Sequence, residues 1–288
     1  MKRTLNAALA GGDVRQVYLA ELLAADGVQV QTIGLERSGA PLENCSNMAE
    51  LFAWADVIVL PMPTAGAHRR LNAPLANAPY KLTDVLDAIP AGRPVLGGAV
   101  PQMIHDMAQR RGIRVCDYLQ REELAILNAI PTAEGAIQIA MEELPVTLHG
   151  LSVLIVGAGR IGSTLAPRLH ALGARVTVSA RSCADFARIR SGGYHDLDTR
   201  ALAGHIGAFP LIINTVPHPV LTRRVLADCA PETLVIDLAS GAGGVAEDAG
   251  DRCRIIHALS LPGRVAPRSA AAAIHDTICH ILEEEGLL

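Results

Sequence analysis

Short apolar runs alternate along this chain with segments whose apolar positions recur every three or four residues. In the first 120 residues, strand-like runs fall at 4–10, 28–33, 56–60, 94–96 and 113–116. Helix-like segments follow Gly12 and lie around 48–54, 83–88 and 102–110. Such alternation predicts a parallel α/β sheet. Gly11, Gly12 and Asp13 separate the first strand from the first helix, supplying permissive backbone and a helix N-cap. Residues 120–143 form one long helical stretch, which Pro131 is expected to bend or split. The alternation then resumes, with strands at 151–156, 175–179, 211–215, 233–237 and 254–257 and helices at 161–172, after Ser182 and near 221–227. An Ala-rich helix at 269–285 is expected to pack back on the first domain.

The pattern gives an α/β fold of two doubly wound parallel-sheet domains joined by a long helix. Residues 1–120 form a flavodoxin-like substrate domain, 121–144 the linking helix, 145–268 the second sheet domain and 269–288 the returning helix. At 288 residues the length agrees with two domains at roughly 150 residues each.

Composition narrows the function classes. Half of the residues are hydrophobic and 19% are charged, as suits buried parallel sheets and not a disordered chain. The formal net charge of -4, with no run of Lys or Arg, gives no footprint for nucleic acid or an anionic membrane. No stretch approaches ~18 uninterrupted apolar residues, and the N-terminal apolar segment is too short for a signal sequence. A cytoplasmic protein acting on a small molecule is expected. The six cysteines contain no C-x-x-C pair and no histidine spacing that stands above chance, so reduced thiols and no metal are expected.

The sharpest chemistry is in VLIVGAGRIGSTLAPRLHALGARVTVSAR. Gly157, Gly159 and Gly162 form G-x-G-x-x-G between an apolar strand and a helix, the context this motif needs. Gly157 permits the tight turn, Gly159 admits a pyrophosphate and Gly162 lets the helix approach the sheet, so the second domain reads as a Rossmann NAD(P)-binding domain. Ala158, Arg160 and Ile161 complete the loop. At the end of the next strand, where NAD-specific domains place an acid, stand Ala180, Arg181 and Ser182. An Arg and a hydroxyl can pair with a 2′-phosphate that a carboxylate would repel, so NADP(H) is favoured over NAD(H).

Later strand ends carry further candidates. Thr215, Val216 and Pro217 follow one strand and Asp237, Leu238 and Ala239 the next; both groups are cofactor-binding candidates. His218 stands in the first of these turns, and Ser240 follows the second. Arg264, in LPGRVAP before the last helix, suits a carboxylate.

These segments together resemble the dipicolinate synthase A-subunit family of endospore-forming bacteria. The resemblance rests on AILNAIPTAEGAIQIAMEELPVTLHG, GAGRIG followed by ARS, INTVP, DLAS with GG, LPGRVAP and the early GGDVRQ turn. It implies NADP-linked oxidation of dihydrodipicolinate to dipicolinate in the mother cell during sporulation, with the flavoprotein-like B-subunit of dipicolinate synthase. A homo-oligomer is the family-style expectation. Two departures stand out: His218 replaces an expected small polar residue, and GAGG after DLAS replaces an expected R-P-G-G.

The implied reaction removes a hydride and a proton from a partly reduced pyridine ring bearing two carboxylates, so orientation and anion binding matter most. Gly12, Asp13, Arg15, Thr64, Asn128, Thr132, Ser240 and Arg264 are the substrate-contact candidates, and Glu134 or His218 the candidate proton acceptor. Two other readings stay open. A 2-hydroxyacid dehydrogenase shares the plan, but its Arg after the fifth Rossmann strand and its late catalytic His have no counterpart here. A non-catalytic dinucleotide-binding member of a complex is the other.

Overall fold

Near-continuous runs of small and β-branched residues build two all-parallel sheets, both of whose faces must then be covered by helices. The computed structural model describes residues 4–241 and 243–288, and the chain divides into two units. One comprises the residues up to Leu127 together with Ala266–Leu288; the other is Asn128–Val265. Ala242, one of the residues in the GAGG departure, lies outside the described residues.

The first unit contains β1 (Asn6–Ala10), α1 (Val14–Ala25), β2 (Gln29–Ile33), α2 (Met48–Trp54), β3 (Val57–Val59), α3 (Leu82–Asp87), β4 (Val95–Gly97), α4 (Gln102–Gln109) and β5 (Val115–Asp117). Its sheet order is β2-β1-β3-β4-β5, so the strand order reverses between β1 and β3. Leu51, Phe52, Leu82, Val85, Leu86 and Ile104 cover one face. On the other, Leu19 and Leu23 of α1 pack with Ile274, Ile278 and Ile281 of the C-terminal helix, so residues distant in sequence close this core.

Next comes α5 (Glu122–Glu143), continuous through Pro131. The expected split does not occur. Proline costs the helix one hydrogen bond, to the Leu127 carbonyl, while Thr132 Oγ1 donates to the Asn128 carbonyl at 2.7 Å and adds a bond beside the gap. By length and composition alone α5 is long and apolar enough to cross a membrane. Its Ala133, Ala136 and Ala140 are instead buried in the core of the second unit, where small side chains let the helix lie close to the sheet.

The second unit follows with β6 (Ser152–Val156), α6 (Arg160–Ala171), β7 (Arg175–Ala180), α7 (Cys183–Ser191), β8 (His195–Asp198), β9 (Leu211–Asn214), α8 (Arg223–Leu226), β10 (Leu234–Asp237), β11 (Arg254–His257) and α9 (Leu261–Val265). The order β11-β10-β9-β6-β7-β8 is that of a Rossmann sheet, reversing between β9 and β6. Leu165, Ala166 and Leu169 of α6 cover one face with α5. Leu202, Ile206, Leu221 and Leu226 cover the other.

Two elements of the second unit lie outside the sequence expectations. β8 is an exposed edge strand reading HDLD, which has no apolar alternation to betray it. α9 forms from LPGRV, whose Leu261 and Val265 pack on Gly135 of α5; a Cβ at Gly135 would sit 2.8 Å from the Val265 side chain. The chain ends with α10 (Pro267–Glu284), which belongs to the first unit.

Candidate functional site

The β6–α6 turn sits where the strand order of the second unit reverses. Gly157 has φ +105, and a Cβ there would lie 2.5 Å from Thr215 Oγ1; at Gly162 it would collide with the Gly157 carbonyl oxygen. Both glycines are therefore required by the protein's own packing. Gly159 differs: among the described residues a Cβ there would meet no atom within 4 Å. Gly159 also N-caps α6 without any side-chain acceptor, so the first N–H groups of a twelve-residue helix are left for an external anion.

Above this turn lies a cleft of about 480 Å³. Of the cofactor-binding candidates, Gly157, Ala158, Gly159, Ala180, Arg181, Ser182, Thr215, Val216 and Pro217 all line it, and so does His218. Arg160, Ile161 and Gly162 instead carry the turn into α6. The cleft is thus assembled from the carboxyl ends of β6, β7 and β9, the position a dinucleotide takes in such sheets. The residues fit that group: open glycine backbone, free helix N–H groups and no acid at the end of β7.

At that strand end Ala180 is buried and Arg181 is exposed. Among the described residues Arg181 makes no hydrogen bond or ion pair. Ser182 caps α7, accepting from the Asp185 N–H at 3.1 Å and donating to Asp185 Oδ2 at 2.6 Å. Arg188 Nη1 meets the same carboxylate at 2.7 Å, so Asp185 enters the cleft wall with its charge already partnered.

Asp237, Leu238 and Ala239 are buried and do not line the cleft. Asp237 acts from behind. Its carboxylate accepts from Asn214 Nδ2 at 2.8 Å, Gly244 N at 3.0 Å and Ala239 N at 3.2 Å. Asn214 in turn donates to the Val216 carbonyl at 3.0 Å and accepts from Val216 N at 3.2 Å. A Cβ at Gly244 would collide with the Asn214 amide, which gives the last glycine of GAGG a packing reason. This satisfied buried network fixes the turn that carries Thr215–His218; a direct cofactor contact from the Asp237 side chain is not what the structure shows.

The substrate candidates are differently placed. In the first unit, Asp13 caps α1 through Arg15 N at 3.0 Å, and its two oxygens meet Arg15 Nε and Nη2 at 3.0 and 2.8 Å. Arg15 also donates to the Met62 carbonyl at 2.5 Å and is only 7% exposed. Thr64 is wholly buried, its hydroxyl within hydrogen-bond reach of the Pro61 and Gly98 carbonyls at 3.0 and 3.1 Å. The fold itself engages both side chains. Gly12, with φ +107, gives its N–H to the Asn72 carbonyl.

In the second unit, Asn128 is half-buried on α5, and Thr132 returns its hydroxyl to the helix. Glu134 is exposed, faces Arg168 Nε at 3.9 Å and is not among the residues that line the cleft. Ser240 and Arg264 are exposed, and among the described residues Arg264 has no partner.

Ser179, Asp185, Thr199 and Val220 also line the cleft and were not singled out from sequence. Ser182 and Asp185 spell a capping box that was legible. Thr199 follows the unrecognised β8, and its hydroxyl bonds Ser179 Oγ and the Ala180 carbonyl at 3.1 Å each.

Comparison with known proteins agrees with the two-unit plan. Residues 6–119 match the family model for the N-terminal domain of the dipicolinate synthase A-subunit, and residues 144–243 match a putative NAD(P)-binding family. The chain is 32% identical over 290 residues to the dipicolinate synthase A-subunit of Bacillus subtilis (strain 168), covering 97% of this chain and 96% of that one. A crystal structure of the dipicolinate synthase A-subunit from Bacillus halodurans superposes with TM-score 0.90 at 27% identity, covering 98% of this chain and 99% of that one. The corresponding chain of dipicolinate synthase from Bacillus subtilis gives 0.87 at 31%, covering 99% and 97%.

Proposed function

The chain belongs to the dipicolinate synthase A-subunit family, and from that premise we propose that it oxidises dihydrodipicolinate to dipicolinate with NADP⁺, in the cytoplasm of a sporulating mother cell and with the flavoprotein-like B-subunit. The observation that supports this most is the cleft over Gly159, with its uncapped helix terminus and the unpartnered Arg181 at its rim.

A bound nicotinamide dinucleotide supplies the hydride acceptor. The chain's residues then have three tasks. Gly157–Gly159 and the α6 N-terminus would hold the pyrophosphate, while Arg181 would take the 2′-phosphate beside Ser182, whose hydroxyl is engaged by Asp185. The substrate's two carboxylates need cations; Arg264 is free to provide one, whereas Arg15 is held by Asp13. The ring gives up one proton besides the hydride. His218 lines the cleft and Glu134 does not, so His218 is assigned as the acceptor. Aromatisation supplies most of the driving force, so positioning outweighs a strong base.

The test is oxidation of freshly generated dihydrodipicolinate by the purified chain with NADP⁺ or NAD⁺, with and without the B-subunit. Dipicolinate and reduced nicotinamide are expected to form one for one. Dipicolinate without reduced nicotinamide, or no dipicolinate under any combination, would replace this assignment with that of a non-catalytic dinucleotide-binding member of a complex.

A further inference from the structure

Far in sequence from the dinucleotide cleft, α10 carries His275 and Cys279 one helical turn apart. This i,i+4 spacing puts an imidazole and a thiol on one helix face. The opposing group comes from α1, whose C-cap is Asp26. Three donor atoms meet here: His275 Nε2 lies 2.8 Å from Asp26 Oδ2 and 3.6 Å from Cys279 Sγ, and all three fall within 4.8 Å of one another. We propose that Asp26, His275 and Cys279 bind a divalent transition-metal ion of the zinc class, joining the C-terminal helix to the first helix of the chain.

The present donor separations lie within a small adjustment of a coordination site. With Zn–N and Zn–O near about 2.0–2.1 Å and Zn–S near about 2.3 Å, a tetrahedral site has ligand–ligand edges of roughly 3.3–3.6 Å. The Nε2–Sγ separation already matches, and the Nε2–Oδ2 contact has only to open as the metal replaces the proton between them. The other imidazole nitrogen is also provided for: Nδ1 lies 3.2 Å from Asp276 Oδ1. A carboxylate on the far nitrogen fixes the ring so that Nε2 faces the metal, as in many zinc sites.

The local field asks for a cation. Burial pushes the Cys279 thiol up to about 11. Besides His275 itself, the charged groups around its sulfur among the described residues are the carboxylates of Asp26, Asp276 and Glu283, which push the same way. Asp26 moreover sits at the negative end of the α1 dipole, where a carboxylate is disfavoured unless a positive charge joins it. A bound divalent ion reverses this balance and deprotonates the thiol. His275 is 13% exposed and Asp26 55%, so an ion reaches the donors from solvent through the Asp26 side. Three protein donors leave a fourth position for water.

The experiment is titration of the full-length chain with Co²⁺, followed by thiolate-to-metal charge-transfer absorption in the near ultraviolet, and with Zn²⁺ by equilibrium dialysis and metal analysis. One equivalent should bind, with the Co²⁺ band present in the parent chain and absent in Cys279→Ser. Asp26→Asn, at an exposed cap that leaves the core untouched, should weaken binding more than about tenfold, since even outer partners of a metal are worth about 10–100-fold. Thermal unfolding should shift upward with Zn²⁺ in the parent chain and not in these variants. No charge-transfer band from the folded parent, or a band that persists in Cys279→Ser, would overturn the proposal. Dinucleotide binding is unaffected under either result, which keeps this test separate from that of the proposed oxidation.

Discussion

The two units present the same architectural opportunity and use it differently. Each has a glycine turn between its first strand and first helix, placed where the strand order reverses. In the first unit the chain fills that turn itself. Asp13 caps α1 and binds Arg15, Gly12 gives its N–H to Asn72, and a Cβ at Gly12 would lie 2.5 Å from Gln16 Cβ. In the second unit, among the described residues, no side chain caps α6 and nothing stands against Gly159. A doubly wound sheet therefore offers an anion site at each reversal, and local side chains decide whether it stays open.

The contrast can be broken at its strongest point first. Gly162→Ala places a methyl against the Gly157 carbonyl and should cost about 3 kcal/mol of stability, at the upper end of overpacking effects, with loss of dinucleotide binding. Chemical denaturation checks this, and a variant of unchanged stability would show that α6 can move away from the sheet. Gly159→Ala should behave in the opposite manner. Its backbone, φ −78 and ψ −164, suits alanine, so the melting temperature should hold. Dinucleotide affinity should fall about a hundredfold, or ~2.7 kcal/mol, as the methyl enters the pyrophosphate position. Equal affinity in this variant would remove the role given to the open glycine.

The closed turn makes the complementary prediction. Asp13→Ala removes a helix cap and leaves Arg15, 7% exposed, without its carboxylate, so stability should fall by about 2 kcal/mol. Dinucleotide affinity should not change. Calorimetry on the folded variant separates the two effects, and a large loss of affinity would contradict the assignment of Asp13 to structure.

How much of this could be read in the sequence follows from what each residue touches. The strands were legible because parallel sheets buried on both faces leave apolar runs such as Ser152–Val156 and Leu234–Asp237. β8 was not, because an edge strand reading HDLD has almost nothing to bury. The glycine fingerprint fixed the cofactor turn, since its spacing reflects contacts within about one helical turn of chain. By contrast, GGDVRQ suggested a substrate contact, and only the partners of Arg15 and Thr64 show those groups to be engaged by the fold. Asp237 was a similar case: a carboxylate at a strand end looks alike in sequence whether it faces a ligand or, as here, ties two turns together through Asn214 and Gly244. The Asp26, His275 and Cys279 cluster joins residues about 250 positions apart, so the one-turn spacing on α10 carried only two-thirds of it.

The smallest expected effect concerns which dinucleotide the open turn prefers. Ala180 occupies the buried position at the end of β7, Arg188 partners the nearby Asp185, and Arg181 is exposed without a partner among the described residues. The net field at the cleft rim therefore depends mainly on Arg181. Arg181→Asp replaces attraction for a 2′-phosphate with repulsion, at an exposed position where solvent screens the interaction. NADP(H) affinity should drop about tenfold, or ~1.4 kcal/mol, while NAD(H) affinity stays level or rises. The drop should shrink as salt is raised, because screening weakens both terms. Parallel titrations with the two dinucleotides decide the matter. If both affinities fall together, Arg181 contributes a general attraction for phosphate and the proposed preference for NADP(H) loses its support at this strand end.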